Sequence, residues 1–136
     1  MPLFQLRWQH RVALERAAEG QFIRDVALTI RRENHNAVWR IQDLQFQRMV
    51  AVGVRRARAH GLLMNTAITM FVKLMFTVSP NFDEQSEVAA ELSAGEGTPE
   101  ERLYSLRHVV SEQAWEEAAR LYRSAAWKFS ESVEDS

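Results

Sequence analysis

The sequence predicts an all-α fold, a single-domain bundle of six or seven helices built around a central apolar helix at about residues 66–78. Three observations carry that expectation. Apolar residues recur at three- and four-residue spacing along most of the 136-residue chain. No segment alternates at the period of two that a half-buried strand requires. Cap and stop residues divide the chain into helix-sized pieces.

The first predicted helix runs from Pro2 or Leu3 to Glu19, with Pro2 suited to a first turn and Gly20 to a left-handed stop. Leu6, Ala13, Leu14 and Ala17 share one of its faces. A second helix is expected over residues 21–33, with Phe22, Ile23, Val26, Ala27 and Ile30 as its apolar stripe. Asn34, His35 and Asn36 read as a break, because short polar side chains compete for backbone groups. Val38, Trp39 and Ile41 should fold onto the core from the connection that follows.

The third helix is predicted over residues 43–60, with Phe46, Val50, Gly53 and Ala57 facing inward. Gly53 costs about 1 kcal/mol relative to alanine in a helix interior, which suggests that another helix backbone approaches there. Arg55, Arg56 and Arg58 lie in the last turns, where cations favour the helix dipole, and Gly61 ends the helix. Asn65 is expected to cap a fourth helix, residues 66–78, that is apolar nearly all round and therefore central. Its one charge, Lys73, must reach water or a carboxylate.

Ser79-Pro80 stops that helix. In the turn that follows, Phe82 should pack on the core and Asp83 should cap a fifth helix, residues 84–92. Residues 93–97 form a loop. Thr98-Pro99-Glu100-Glu101 then carries a cap, a first-turn proline and a capping-box glutamate for a sixth helix, which runs to about Val110. Ser111 should cap a seventh, whose stripe is Trp115, Ala118, Ala119, Tyr122, Ala125, Ala126 and Phe129. The domain is expected to span residues 1–130, with residues 131–136 an acidic, fraying tail.

Composition narrows the chemistry. The chain has no cysteine, so thiolate catalysis, disulfides and cysteine-rich zinc sites are excluded. Its opening, MPLFQLRWQHR, lacks the apolar core of an export signal, and the longest apolar stretch is too short to span a bilayer; a cytoplasmic protein off the membrane is the expectation. His10, His35, His60 and His108 have no second ligand at metal-site spacing, and no phosphate loop or nucleophile motif occurs. No catalytic residue, metal or cofactor is predicted. Asp83, Glu84 and Glu87 read as first-turn carboxylates, and Met49, Met64, Met70 and Met75 as core filling.

Charge is segregated. Residues 1–60 hold eleven arginines against five carboxylates, a net +6; residues 61–136 hold six basic and thirteen acidic residues, a net −7. Pairing between the two halves is the plainer reading, and a polarised docking surface the sharper one. Nucleic acid is not an expected partner, because lysine is scarce and the acidic half would repel a duplex. Arginine and tryptophan are common interface anchors, so Arg48, Arg55, Arg58 and Trp39 are the candidate protein-binding residues. Gly61, Asn65, Pro80, Phe82, Asp83, Thr98 and Glu101 are assigned to turns and caps.

Residues 49–83 carry a resemblance. "RARAHG" followed by "MFVKLMFTVSPNFDE" is similar to a family of small helical proteobacterial proteins encoded among type VI secretion effectors, often beside adaptor-chaperone and PAAR genes. Gly61-Leu62, Leu74-Met75-Phe76, Pro80 and Phe82-Asp83 match the family's pattern, as does the later "TPEERLYSL". Asn65-Thr66 replaces an early acidic residue, Ser79 replaces a glycine, and residues 33–38 replace an "F-P". The resemblance implies an adaptor or co-chaperone for a secreted effector, whose partner is the effector or its adaptor chaperone; the alternative is an immunity protein that neutralises a cognate toxin. Self-association is left open.

Overall fold

The computed structural model describes residues 3–94 and 96–128, with side chains from residue 8 onward. Among them the fold is all-α, without a strand. The order is α1 (Leu3–Glu33), α2 (His35–Val38), α3 (Asp43–Ala59), α4 (Asn65–Thr77), a 3₁₀ turn (Phe82–Glu84), α5 (Ser86–Ala94), α6 (Pro99–Val109), α7 (Glu112–Arg120) and a second 3₁₀ turn (Ser124–Trp127). Among the described residues no helix is long and apolar enough to cross a membrane.

The expected break at Gly20 is absent: α1 is one helix of 31 residues. Among the described residues only Gly61 and Gly97 have positive φ, so Gly20 keeps helical geometry. The penalty of about 1 kcal/mol for glycine is too small to break a helix whose next turns pack. Those turns bury Val26, Ala27 and Ile30. Ala13, Leu14 and Ala17, by contrast, are exposed. Asn34 does interrupt the chain, but His35 and Asn36 belong to the single turn of α2.

The core gathers on α4. Ala67, Ile68, Phe71, Val72 and Met75 have no exposed surface, and Phe46, Val50, Val54 and Ala57 of α3 pack around them. Gly53 is explained by side chains rather than by a backbone: a Cβ there would lie 3.0 Å from both Val72 methyls and 3.2 Å from Met75 Sδ. Lys73 reaches Glu33 at 2.6 Å. Phe82 is fully buried against Phe71, with ring centroids 4.9 Å apart.

Several caps hold and two do not. Gly61 has φ +87° and ends α3. Thr98 and Glu101 form the reciprocal capping box of α6, and Ser111 caps α7. Asn65, however, is the first residue of α4, and Met64 stands at the cap position without a side-chain bond. The amides of Leu63 and Met64 instead donate to Glu100 Oε2 at 2.8 and 3.2 Å; these bonds hold the Glu100 carboxyl below its ordinary pKa. Asp83 does not cap α5. Gln85 Oε1 takes that place, accepting from the amides of Glu87 and Val88 at 2.8 and 3.1 Å, while Asp83 is drawn into an ion cluster.

The seventh helix is shorter than its stripe suggested. It stops at Arg120, and the chain turns at Leu121 to Arg123. Ala119, Tyr122 and Ala125 are exposed, whereas Ala126 is buried. Phe129 and the acidic residues 131–136 lie outside the described residues.

Candidate functional site

The candidate site is a groove between α3 and the segment after α7. Its geometry begins with helical spacing. Phe46, Val50, Val54 and Ala57 turn inward, which leaves Leu44, Arg48, Met49, Val52 and Arg55 on or near the outer face of α3. The opposite wall is Tyr122, Ala125, Trp127 and Lys128, and together they line an open cavity of about 1180 Å³. Arg48, Arg55 and Lys128 supply three cations, and among the described lining residues there is no carboxylate.

Trp127 is held on two sides. Its ring lies 4.5 Å from that of Phe76, and its Nε1–H donates to Tyr122 Oη at 2.7 Å. These two contacts fix the position of the wall.

The wall is positioned by the turn after α4. Asn81, 7% exposed, donates through Nδ2 to the Leu121 carbonyl at 3.0 Å and accepts at Oδ1 from the Arg123 amide at 2.9 Å. The Arg123 guanidinium grips Glu84 with two bonds, at 2.7 and 2.9 Å. These bonds, with the charge of Arg56, hold the Glu84 carboxyl below its ordinary pKa. On the other side, Arg56 binds both oxygens of Asp83 at 2.8–3.1 Å and Glu84 at 2.9 Å. His60 Nε2 lies 2.7 Å from Asp83 Oδ2. Burial pushes the Asp83 carboxyl up, but the bonds from His60 and Arg56 outweigh it and the group sits below its ordinary value. Residues 81–84 thus tie α3 to the far wall of the groove.

The candidate binding residues divide. Arg48 and Arg55 both line the groove. Arg58 does not join them: it pairs with Glu19 and lies over the Phe22 ring at 5.6 Å, fastening α1. Trp39 is also apart. Of the three residues expected to fold inward, Val38 is buried and Ile41 half-buried, whereas Trp39 is 54% exposed beneath the Arg40 guanidinium. The methionines divide too, since Met75 is core, Met49 lines the groove and Met64 is exposed.

Sequence reading missed Asn81, Tyr122 and Trp127 as one unit. An asparagine directly after Ser79-Pro80 signals a turn, but nothing local signals the residues about forty positions away that it holds. Glu87 accepts from Ser111 N and Oγ, both at 2.9 Å, so it steadies the start of α7. Among the described residues no three metal-ligand side chains converge. No family model, curated protein or solved structure matches the chain.

Proposed function

We propose that this chain is a non-catalytic accessory protein of the cytoplasm that binds another protein through the groove between α3 and the segment after α7. The observation that carries the reading is the groove itself, with Arg48 and Arg55 beside Met49 and Val52 and the pre-positioned Trp127 opposite. Arginine and tryptophan are efficient anchors, because they bury much surface while their polar groups remain satisfied. Duplex binding is less well supported: Arg56 and Arg58, which would have to track phosphates, are engaged by Asp83, Glu84 and Glu19.

The resemblance to proteins encoded among type VI secretion clusters supplies the biological setting. In that setting the partner is a secreted effector or its adaptor chaperone, and the chain acts as adaptor or co-chaperone. The test is affinity capture from the native host with wild-type protein and with the double variant Arg48→Glu/Arg55→Glu, whose helicity is checked by circular dichroism. A partner identified by mass spectrometry that is lost with the folded variant supports the reading; a partner retained by it overturns the groove as the interface.

A further inference from the structure

We propose that the first half of α1 pairs with the same segment of a second copy of this chain, antiparallel and crossing at Ala13. The helix runs 31 residues, Leu3–Glu33, or about 46 Å. Its second half packs, burying Val26, Ala27 and Ile30. From Trp8 to Ala18, by contrast, every side chain is exposed except the half-buried Val12. Trp8 keeps 59% of its surface. Helices in proteins draw most of their stability from a packed apolar face, and this segment presents its own to solvent.

Spacing picks out the face and the occupant. Positions 4, 8, 11, 15, 18 and 22 alternate steps of four and three, the spacing of a seam between two helices. They read Phe, Trp, Arg, Glu, Ala, Phe. Reversed, the series is its own complement. With the two-fold axis at Ala13, Arg11 of each copy faces Glu15 of the other. Trp8 faces Ala18, a large side chain over a small one. Position 4 falls opposite Phe22, and Phe22 borders a cavity of about 410 Å³ between α1 and α4, lined also by Val26 and Met70. That cavity continues the same face of α1 and gives the start of the second helix a seat.

Charge selects the orientation. A parallel pair in register would set Arg11 against Arg11 and Glu15 against Glu15, and like charges reject that arrangement. The antiparallel order also keeps the two bodies clear of each other. Phe22 lies nine residues beyond Ala13 in each copy, so the bodies stand about 27 Å apart along the axis. Such an interface is isologous and closes at a dimer. It shares no residue with the lining of the α3 groove.

The experiment is sedimentation velocity of the full chain over a concentration series, with circular dichroism as the folding control. Wild-type chain should pass from monomer to dimer as concentration rises. Arg11→Glu and Glu15→Arg should each raise the dimer dissociation constant by about tenfold, because the two-fold axis turns two ion pairs into two repulsions at once. An equimolar mixture of the two variants should recover wild-type association, since every glutamate then meets an arginine. Misfolding cannot produce that recovery. The chain has no cysteine, so orientation is read by mixing Trp8→Cys with Ala18→Cys and oxidising. The 8–18 disulfide should form in excess of 8–8 and 18–18.

A chain that stays monomeric at every concentration would overturn the proposal. So would association indifferent to both charge reversals, which would place the dimer on another face, or a mixture of the two variants that recovers nothing. Preferential 8–8 and 18–18 links would mark a parallel pair and overturn it as well.

Discussion

Asp83 is 6% exposed and sits between Arg56 and His60. A carboxylate in that position is costly to leave half-paired, so Asp83→Asn should destabilise the fold by about 3–5 kcal/mol in urea titrations at neutral pH, the scale of breaking a buried ion pair. A capping role would have cost only about 1 kcal/mol, and the difference separates the two assignments. Because the folded pKa of Asp83 is depressed, its stabilisation is complete above the unfolded value of about 3.9. It is lost as pH falls through the lower folded value. The acid limb of the stability profile should therefore be shallower in Asp83→Asn. Ser79 offers the opposite case: its hydroxyl is buried without a partner among the described residues. Ser79→Ala should leave stability unchanged or raise it by up to about 1 kcal/mol, since no bond is lost and a desolvated hydroxyl is removed.

At the scale of elements, glycine substitutions read out what each helix is asked to do. Gly20→Ala should raise stability by up to about 1 kcal/mol, because the added Cβ would meet only the tip of the flexible Arg24 side chain, at 3.4 Å. Gly53→Ala should lower it: Val72 is stiff at χ1 and would have to retreat from a contact of 3.0 Å. Thermal unfolding of the two variants checks both signs. These helices also show which signals were legible. Thr98-Pro99-Glu100-Glu101 and Gly61 act locally, and the structure places them where the sequence did. Gly20, Asn65 and Asp83 carry local signals of the same kind, yet tertiary forces decide them. Packing of residues 22–30 carries α1 through Gly20, Glu100 supplies acceptors at the start of α4, and Arg56 takes the carboxylate that might have capped α5.

Over the whole molecule, the segregated charge resolves into three uses. Arg56 meets Asp83 and Glu84 across the two halves, while Arg58 and Glu19 pair within the first and Arg123 and Glu84 within the second. Arg48, Arg55 and Lys128 line the groove. One wall of that groove was readable, because helical periodicity alone turns Arg48 and Arg55 outward on α3. The other wall was not: Trp127 belongs to an expected continuous helix, and its placement depends on bonds from Asn81 that join distant parts of the chain. If the rim cations steer a partner, raising the salt concentration should slow association much more than it speeds dissociation in stopped-flow measurements.

The Asn81 clasp also has a consequence in time. Helical turns on α3 and α4 form from near neighbours, whereas seating Leu121 and Arg123 on Asn81 closes a loop of about forty residues and bears the entropy of that closure. The far wall should therefore assemble after the α3–α4 pair and open before it, as a small cooperative unit with its own protection against hydrogen exchange. Asn81→Ala should bring that opening within reach without melting the core, so that amides near Leu121 to Trp127 exchange early while those of α4 stay protected. The far wall of the groove would then be a switchable property of an otherwise unchanged fold, set by one side-chain amide.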